Sequence, residues 1–227
     1  MNNLLLPLTI NETEVQVKIE NVYCIGYAGR NLEKTMEHII ELEAIGIPRP
    51  EEIPALYPVR RNSLNQTGEM QVLGNGSSGE AEIVLVFGNS EEEVFITIGS
   101  DHTDRSLETV DINKSKQICD KPIGRKAWKL DEVINHWDDL ILTSQVLMDG
   151  EWQDYQRANI NEIIPLDEIK GFLKKKRVSM KNCVVFSGTV PLLDGFKYGT
   201  AFKMSFIDEV RNSKIDAEYI INRLDME

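Results

Sequence analysis

The stretch "SGEAEIVLVFG", Ser78 to Gly88, sets two carboxylates, Glu80 and Glu82, at the head of a run that is otherwise apolar. The run is short and bounded by Gly79 and Gly88, so it reads as a strand. Strand side chains alternate with period two. Glu80 and Glu82 are therefore expected on one face, and Ile83, Leu85 and Phe87 on the other.

The glycines just before this run test a rival fold. Gly74, Gly76 and Gly79 in "GNGSSG" satisfy GxGxxG, yet a dinucleotide-binding turn needs a helix immediately after it, so that the pyrophosphate meets the helix N-terminus. Here a strand follows, and the glycines read as a tight loop. Upstream, "LLLPLTI" and "EVQVKIENVYCIGYAG" read as strands separated by an "NET" turn. In "NLEKTMEHIIELEAIG", Asn31 caps a helix, Met36, Ile39 and Ile40 supply its core-facing stripe, and Gly46 followed by Pro48 stops it. Residues 47–65 carry four prolines and read as extended and irregular. Downstream, "EMQVL", "EEVFITIGS", "LILTSQVL", "EWQDYQ", "NCVVFSGTV" and "KMSFIDEV" read as strands, with helices near "SLETVDINKSKQIC" and "LDEIKGFLKKK". The expected fold class is strand-rich α+β, without the regular strand–helix alternation of a doubly wound sheet.

Composition narrows the setting. A chain of 227 residues, 41% hydrophobic, suits one packed domain over 1–227. A net charge of -12 argues against an extended phosphate-binding surface. The basic run Lys174 to Arg177 reads as a solvated helix end, and no nucleic-acid partner is expected. Cys24, Cys119 and Cys183 are widely spaced and odd in number, which fits reduced thiols in a cytoplasmic protein. The opening "MNNLLLPLTI" has no positive n-region and is cut by Pro7, so neither a signal peptide nor a membrane span is expected. There is no GxSxG elbow, no HExxH and no Cys/His cluster at zinc spacing.

Three acidic features remain. They are Glu80-x-Glu82; Asp101 in "ITIGSDHTDRSLE" with Arg105 four residues on; and His38 with Glu41, three apart on the expected helix and so on one face. Carboxylates gathered at strand ends suit a hard cation. Taken singly, each has a plainer reading: a solvated strand face, a turn and a surface pair.

Their order along the chain carries more. Together "HIIE", "GEAEIVLVFG", "ITIGSDHTDRSLE", "SKQICDKPIG", "LMDGEWQDYQ" and "VVFSGTVP" resemble the succession of motifs in the fumarylacetoacetate hydrolase superfamily, over roughly Tyr23 to Pro191, and suggest a bacterial branch of it. The resemblance implies a mixed β-roll, with 1–22 as N-terminal strands and 31–46 as a lid helix. It implies that Glu80, Glu82 and Asp101 hold Mg²⁺ or Mn²⁺, and that His38 and Glu41 form a catalytic dyad. Lys116 falls on the lysine before "PIG", with one residue missing between them. Arg105 and Thr189 fall on substrate-binding positions, and a homodimer is implied.

Departures from the pattern bear on the substrate. "LYPVRRNSL" lacks the lysine of an F-x-K motif, for which Arg60 would substitute, and His102 and Asp104 replace small or apolar residues. The implied reaction is metal-dependent hydrolysis of a C–C bond in an acylpyruvate-like 2-oxo acid. One alternative is a lyase or dehydratase of a 2-keto-3-deoxy sugar acid, in which His102, Asp104 and Arg60 meet hydroxyls. The other is a binding protein of the same fold without turnover.

Overall fold

In the structure, a computed structural model that describes residues 4–224, the N-terminal segment turns back at Asn11 and Glu12. Both have positive φ, 48° and 63°, the geometry of a tight hairpin turn. In chain order the elements are β1 (Leu4–Ile10), β2 (Thr13–Ile19), β3 (Asn21–Gly26), α1 (Leu32–Ala44), β4 (Ala55–Val59), β5 (Leu64–Asn65) and β6 (Glu69–Leu73). There follow β7 (Ser77–Ser78), β8 (Ala81–Phe87), β9 (Val94–Ser100), β10 (Thr103–Asp104), α2 (Arg105–Glu108), α3 (Ile112–Ile118), β11 (Lys121–Pro122), β12 (Trp128–Lys129) and α4 (Leu130–Val133). The chain ends with β13 (Ile141–Met148), β14 (Glu151–Asn159), α5 (Leu166–Lys175), β15 (Cys183–Thr189), β16 (Ala201–Asp208) and β17 (Ser213–Leu224).

A six-stranded sheet in the order β12-β9-β8-β15-β3-β4 packs against a five-stranded sheet in the order β14-β13-β16-β17-β6. Both are mixed: β15 runs parallel to β3, and β17 parallel to β6. One core lies between the sheets, where Ile83, Leu85 and Phe87 meet Phe202, Met204, Phe206 and Tyr219. The second lies on the opposite face of the six-stranded sheet, where Leu6, Leu8, Val17 and Ile19 of the β1–β2 hairpin cover Val84, Val86, Val184 and Phe186. The expected alternation in β8 is present, but the strand is buried on both faces, as an apolar run without polar alternation allows.

Other expectations need correction. Pro54 and Pro58 do not keep residues 55–59 irregular, because β4 is an edge strand, where a missing N–H disrupts no ladder. The strand "SKIDAEYIINRL", β17, was not anticipated. Asn31 caps α1 as expected, accepting from the backbone N–H of Glu33 and Lys34. Ile39 and Thr35 face inward, whereas Ile40 is exposed. The N-terminal strands placed at 1–22 are seen from Leu4 onward, residues 1–3 lying outside the described residues. No helix among the described residues is long and apolar enough to cross a membrane.

One glycine decides how the chain crosses near the end of β9. A Cβ on Gly99 would lie 2.6 Å from Phe186, 2.8 Å from Val84 and 3.0 Å from the carbonyl oxygen of Pro122. The bare backbone lets the segment after β11 bridge to Gly99 and places Lys121 beneath the strand end. Gly99→Ala is expected to destabilise the protein by ~2 kcal/mol, the usual scale of overpacking, as measured by urea unfolding. A loss under ~0.5 kcal/mol would show that the crossing tolerates a methyl group.

Candidate active site

The carboxylates of Glu82 and Asp101 lie on the hairpin-facing side of the six-stranded sheet, because antiparallel pairing sets Glu82 opposite Gly99 and Ala81 opposite Ser100. Glu80 follows in register, its carbonyl accepting from the Asp101 N–H at 3.0 Å. Asp101 is 1% exposed, and both its oxygens are occupied. Lys116 Nζ donates to Oδ2, and Lys121 Nζ lies 3.0 Å from Oδ1. Lys121 is fully buried and also donates to the carbonyl of His102. Burial works against the charge on Asp101, but Lys116 and then Lys121 hold its pKa well below the usual carboxylate range. Burial likewise opposes the charge on Lys116, and Asp101 keeps it raised.

Arg105 ties the second carboxylate to a third. It donates to Glu108 at 3.0 Å, to Glu80 at 3.3 Å and to Ser78 at 2.8 Å, and its guanidinium lies 4.2 Å from the ring centre of Phe196. This uses up most of its fork. Glu82 is treated differently. Its carboxylate accepts from the Gly188 N–H at 3.1 Å, and no ammonium or guanidinium of the described residues lies within ion-pair distance of it. Burial, then Asp101 and Glu80, push its pKa well above the ordinary value.

The remaining residues expected at the site are placed as follows. Thr189 pairs with Glu82 across β15 and β8, but its hydroxyl donates inward to Ala81 O at 2.6 Å and accepts from Gln156 at 2.6 Å. His38 lies 3.6 Å from Glu41 on the outer side of α1, both exposed. The structure does not bring this pair onto the carboxylates. Arg60 follows the far end of β4, exposed and 3.7 Å from Asp120, so it does not stand in for a lysine at the site. His102 does not line a substrate pocket either. It is fully buried on the inter-sheet face, with Nδ1 2.8 Å from Tyr219 Oη and no partner at Nε2 among the described residues. Asp104 caps α2 by accepting from the Leu107 N–H.

Four residues went unread in the sequence. Lys121 directly precedes "PIG" and needs no missing residue, which was the signal for it. Gln156 fixes the loop after β15: its oxygen accepts from Ala81 N and Ser144, and its amide nitrogen donates to Thr189 and Val190 O. Tyr57 pairs with Cys24 and lays its ring 5.5 Å from Lys116 Nζ. Tyr27, in the loop after β3, has φ of 58°, which is rare for an aromatic residue.

Comparison with known proteins adds the lineage. The sequence profile of the family described as Protein of unknown function (DUF2848) matches residues 25–219. The chain belongs to this family. Its members' profile thus takes in β8, β9, both lysines and Thr189. No curated protein matches the sequence. Among solved structures, the chain is similar to fumarylpyruvate hydrolase from Pseudomonas aeruginosa in complex with Mn²⁺ and pyruvate, at TM-score 0.67 and 20% identity over 97% of each chain. It is similar to a protein from Oleispira antarctica described as a fumarylacetoacetate isomerase/hydrolase by assignment, at TM-score 0.67 and 17% identity, covering 94% of this chain and 98% of that one. It is also similar to 2-keto-3-deoxy-D-arabinonate dehydratase complexed with magnesium and 2,5-dioxopentanoate, at TM-score 0.63 and 14% identity, covering 95% and 86%. At these identities the likeness establishes the fold, which is the one the resemblance implied.

The donor chemistry suits a hard divalent cation. Glu80, Glu82 and Asp101 offer only oxygen, and the raised pKa of Glu82 expresses burial first and then repulsion from Asp101 and Glu80, both of which a bound cation would offset. Among the described residues, no three His, Cys, Asp or Glu side chains already converge as a cation cage. Arg105 draws Glu80 aside, and the lysines hold Asp101.

His102 gives this region a pH signature. Burial, then Lys121 and Arg105, depress its pKa from 6.5 to about 3. The folded state therefore keeps it neutral, while the unfolded chain takes up a proton below pH 6.5. Stability is intact above that value and is lost as pH falls towards 3. In the presence of a chelator, the wild type is expected to lose ~2 kcal/mol more than His102→Asn between pH 6.5 and 5, as read by urea unfolding. Parallel pH profiles would place the proton uptake elsewhere.

Proposed function

We propose that this protein is a divalent-metal-dependent enzyme that hydrolyses a C–C bond in an acylpyruvate-like 2-oxo acid. The observation that carries the reading is the strand register that sets Glu80, Glu82 and Asp101 at adjoining strand ends, with Lys116 and Lys121 on Asp101 and no lysine or arginine of the described residues paired with Glu82. A divalent cation bound there supplies Lewis acidity towards the carboxylate and keto oxygens of the substrate. Lys116, at the edge of the cluster, balances the charge of the enolate left on the 2-oxo acid fragment when the C–C bond breaks. His38, oriented by Glu41, would take the proton of the attacking water; the attacked carbonyl carbon leaves as a carboxylic acid when the C–C bond breaks, and His38 would return the proton to the enolate carbon to give the 2-oxo acid product.

This role requires α1 to close over the carboxylates. The helix is lightly held, with only Thr35 and Ile39 buried, as a lid needs to be. The hydrolase reading is favoured over a sugar-acid dehydratase by where the polar groups have gone. His102 bonds Tyr219, Asp104 caps a helix and Arg60 pairs with Asp120, so the groups once assigned to substrate hydroxyls are engaged elsewhere.

Thermal unfolding with Mn²⁺ and oxalate tests the metal centre. Together they are expected to raise the wild-type midpoint, by the equivalent of ~2.7 kcal/mol at a hundred times the Kd. Glu82→Gln should lose this shift, yet in chelator at pH 8 it should melt no lower than wild type, because it removes a buried charge whose pKa the fold raises. His38→Ala should keep the metal response and lose at least ~100-fold in acylpyruvate turnover. A wild type indifferent to both ligands would end the metal-enzyme reading.

A further inference from the structure

Two ammonium groups on one buried carboxylate is more than charge balance at Asp101 requires, and the two are held differently. Lys121 is 0% exposed and sits on a pinned backbone. β11 pairs in parallel with Leu64–Asn65, Ile123 N donates to Asn65 O at 2.9 Å, and Gly124 N donates to Ile98 O at 2.8 Å. Its ammonium has two acceptors, Asp101 Oδ1 and the His102 carbonyl. Lys116 comes from the short helix α3, and its side chain is 7% exposed. Asp101 Oδ2 is its hydrogen-bond acceptor among the described residues, and its other neighbour is the Tyr57 ring, 5.5 Å away. An ammonium carries three N–H donors. Lys116 therefore holds donors that no described protein oxygen takes up.

We propose that the two lysines have separate duties: Lys121 is a fixed positioning residue for Asp101, and Lys116 is an exchangeable counter-ion that leaves Asp101 when that carboxylate takes up a divalent cation and turns to the carboxylate of the incoming 2-oxo acid. The inference rests on the metal-centre reading given above. An ammonium and a divalent cation on the same oxygen repel each other, so an Oδ2 that gives a lone pair to the cation holds Lys116 more weakly. Oδ1 stays with Lys121, which has no room to move. The Tyr57 ring keeps the released Lys116 over the cluster, through its attraction for a cation. Tyr57 can lie there because Gly26 leaves the space: a Cβ on Gly26 would meet the ring at 2.9 Å. Metal-free protein thus carries its own substitute cation, and substrate binding inherits it.

The test is Mn²⁺ titration by calorimetry, followed by oxalate titration of the Mn²⁺-loaded protein, on wild type, Lys116→Met and Glu82→Gln. Lys116→Met is expected to bind Mn²⁺ about ten-fold tighter, because Asp101 has no ammonium to release, and oxalate at least about ten-fold more weakly. A merely structural lysine would weaken both. Amine-reactive labelling of wild type, read by mass spectrometry, needs no variant. Lys116 should label faster with Mn²⁺ and slow again with oxalate, while Lys121 stays protected throughout. If wild type binds no Mn²⁺, the metal reading fails and this inference with it. If wild type binds Mn²⁺ and Glu82→Gln does not, but Lys116→Met binds it no tighter or Lys116 labelling is unchanged, the exchange alone is overturned.

Discussion

Asp101 is ionised and 1% exposed, and much of the surrounding structure follows from keeping that charge inside. A lone buried carboxylate would either take up a proton or unfold its surroundings. Here it is met by two ammonium groups from separate elements. Lys116 requires α3 to lie against the strand end, and Lys121 requires the chain to return through β11 beneath β9. That return is possible because Gly99 has no side chain. The carboxylate therefore helps fix the path of the chain between β9 and β12, where the elements β10, α2, α3 and β11 are all short.

The sequence made some of this readable. Period-two alternation assigned the faces of β8 correctly, since Ile83 and Leu85 join one core and Val84 and Val86 the other. The Asn31 cap and the turn at Asn11 were legible because each depends on local backbone chemistry. β4 was obscured by its prolines. Whether Pro58 interrupts a ladder depends on whether the strand lies at an edge, and edge position is settled by partners far along the chain. β17 alternates Ile215, Ala217 and Tyr219 against Asp216 and Glu218, so its signal was present. Its inward residues find their partners on β16 and β9, a tertiary fact.

The candidate site divides in the same way. The carboxylates, Lys116 and Arg105 stood out by the order of motifs, but Lys121 did not, because a lysine far along the chain shows no preference for any one partner. His102 was assigned to substrate hydroxyls because it replaces a small or apolar residue of the family pattern, and alternation argues the reverse. Neighbours on an extended chain face opposite ways, so the residue after Asp101 belongs to the inter-sheet core. There it joins a hydrogen-bonded chain, His102 Nδ1 to Tyr219 Oη at 2.8 Å, Tyr219 to Ser100 Oγ at 2.9 Å, and Ser100 to the Glu80 N–H at 3.2 Å.

Two kinds of order therefore meet at one strand end. On the inter-sheet face a neutral, buried chain of hydroxyls and imidazole fixes the backbone of Glu80. On the hairpin face Asp101 meets two lysines and Arg105 meets both Glu80 and Glu108, while Glu82 has no cationic partner among the described residues. The neutral chain can be rigid because nothing in it changes charge. The charged face cannot be equally rigid, since any ligand entering it must displace one pairing for another. The solved structures of this fold act on different 2-oxo acids at 14–20% identity to this chain, so the scaffold alone does not select the reaction. What rims the charged face here is Tyr57 over Lys116, Phe196 over Arg105, and Tyr27 held at positive φ in the loop after β3. An aromatic residue keeps such a backbone only where its surroundings hold it there. Burial, followed by Tyr57 and Glu108, raises the pKa of its phenol against the lowering pull of Lys116, which sets Tyr27 near that lysine. The strain thus lies at the rim of the charged face and not in the sheets that carry the fold.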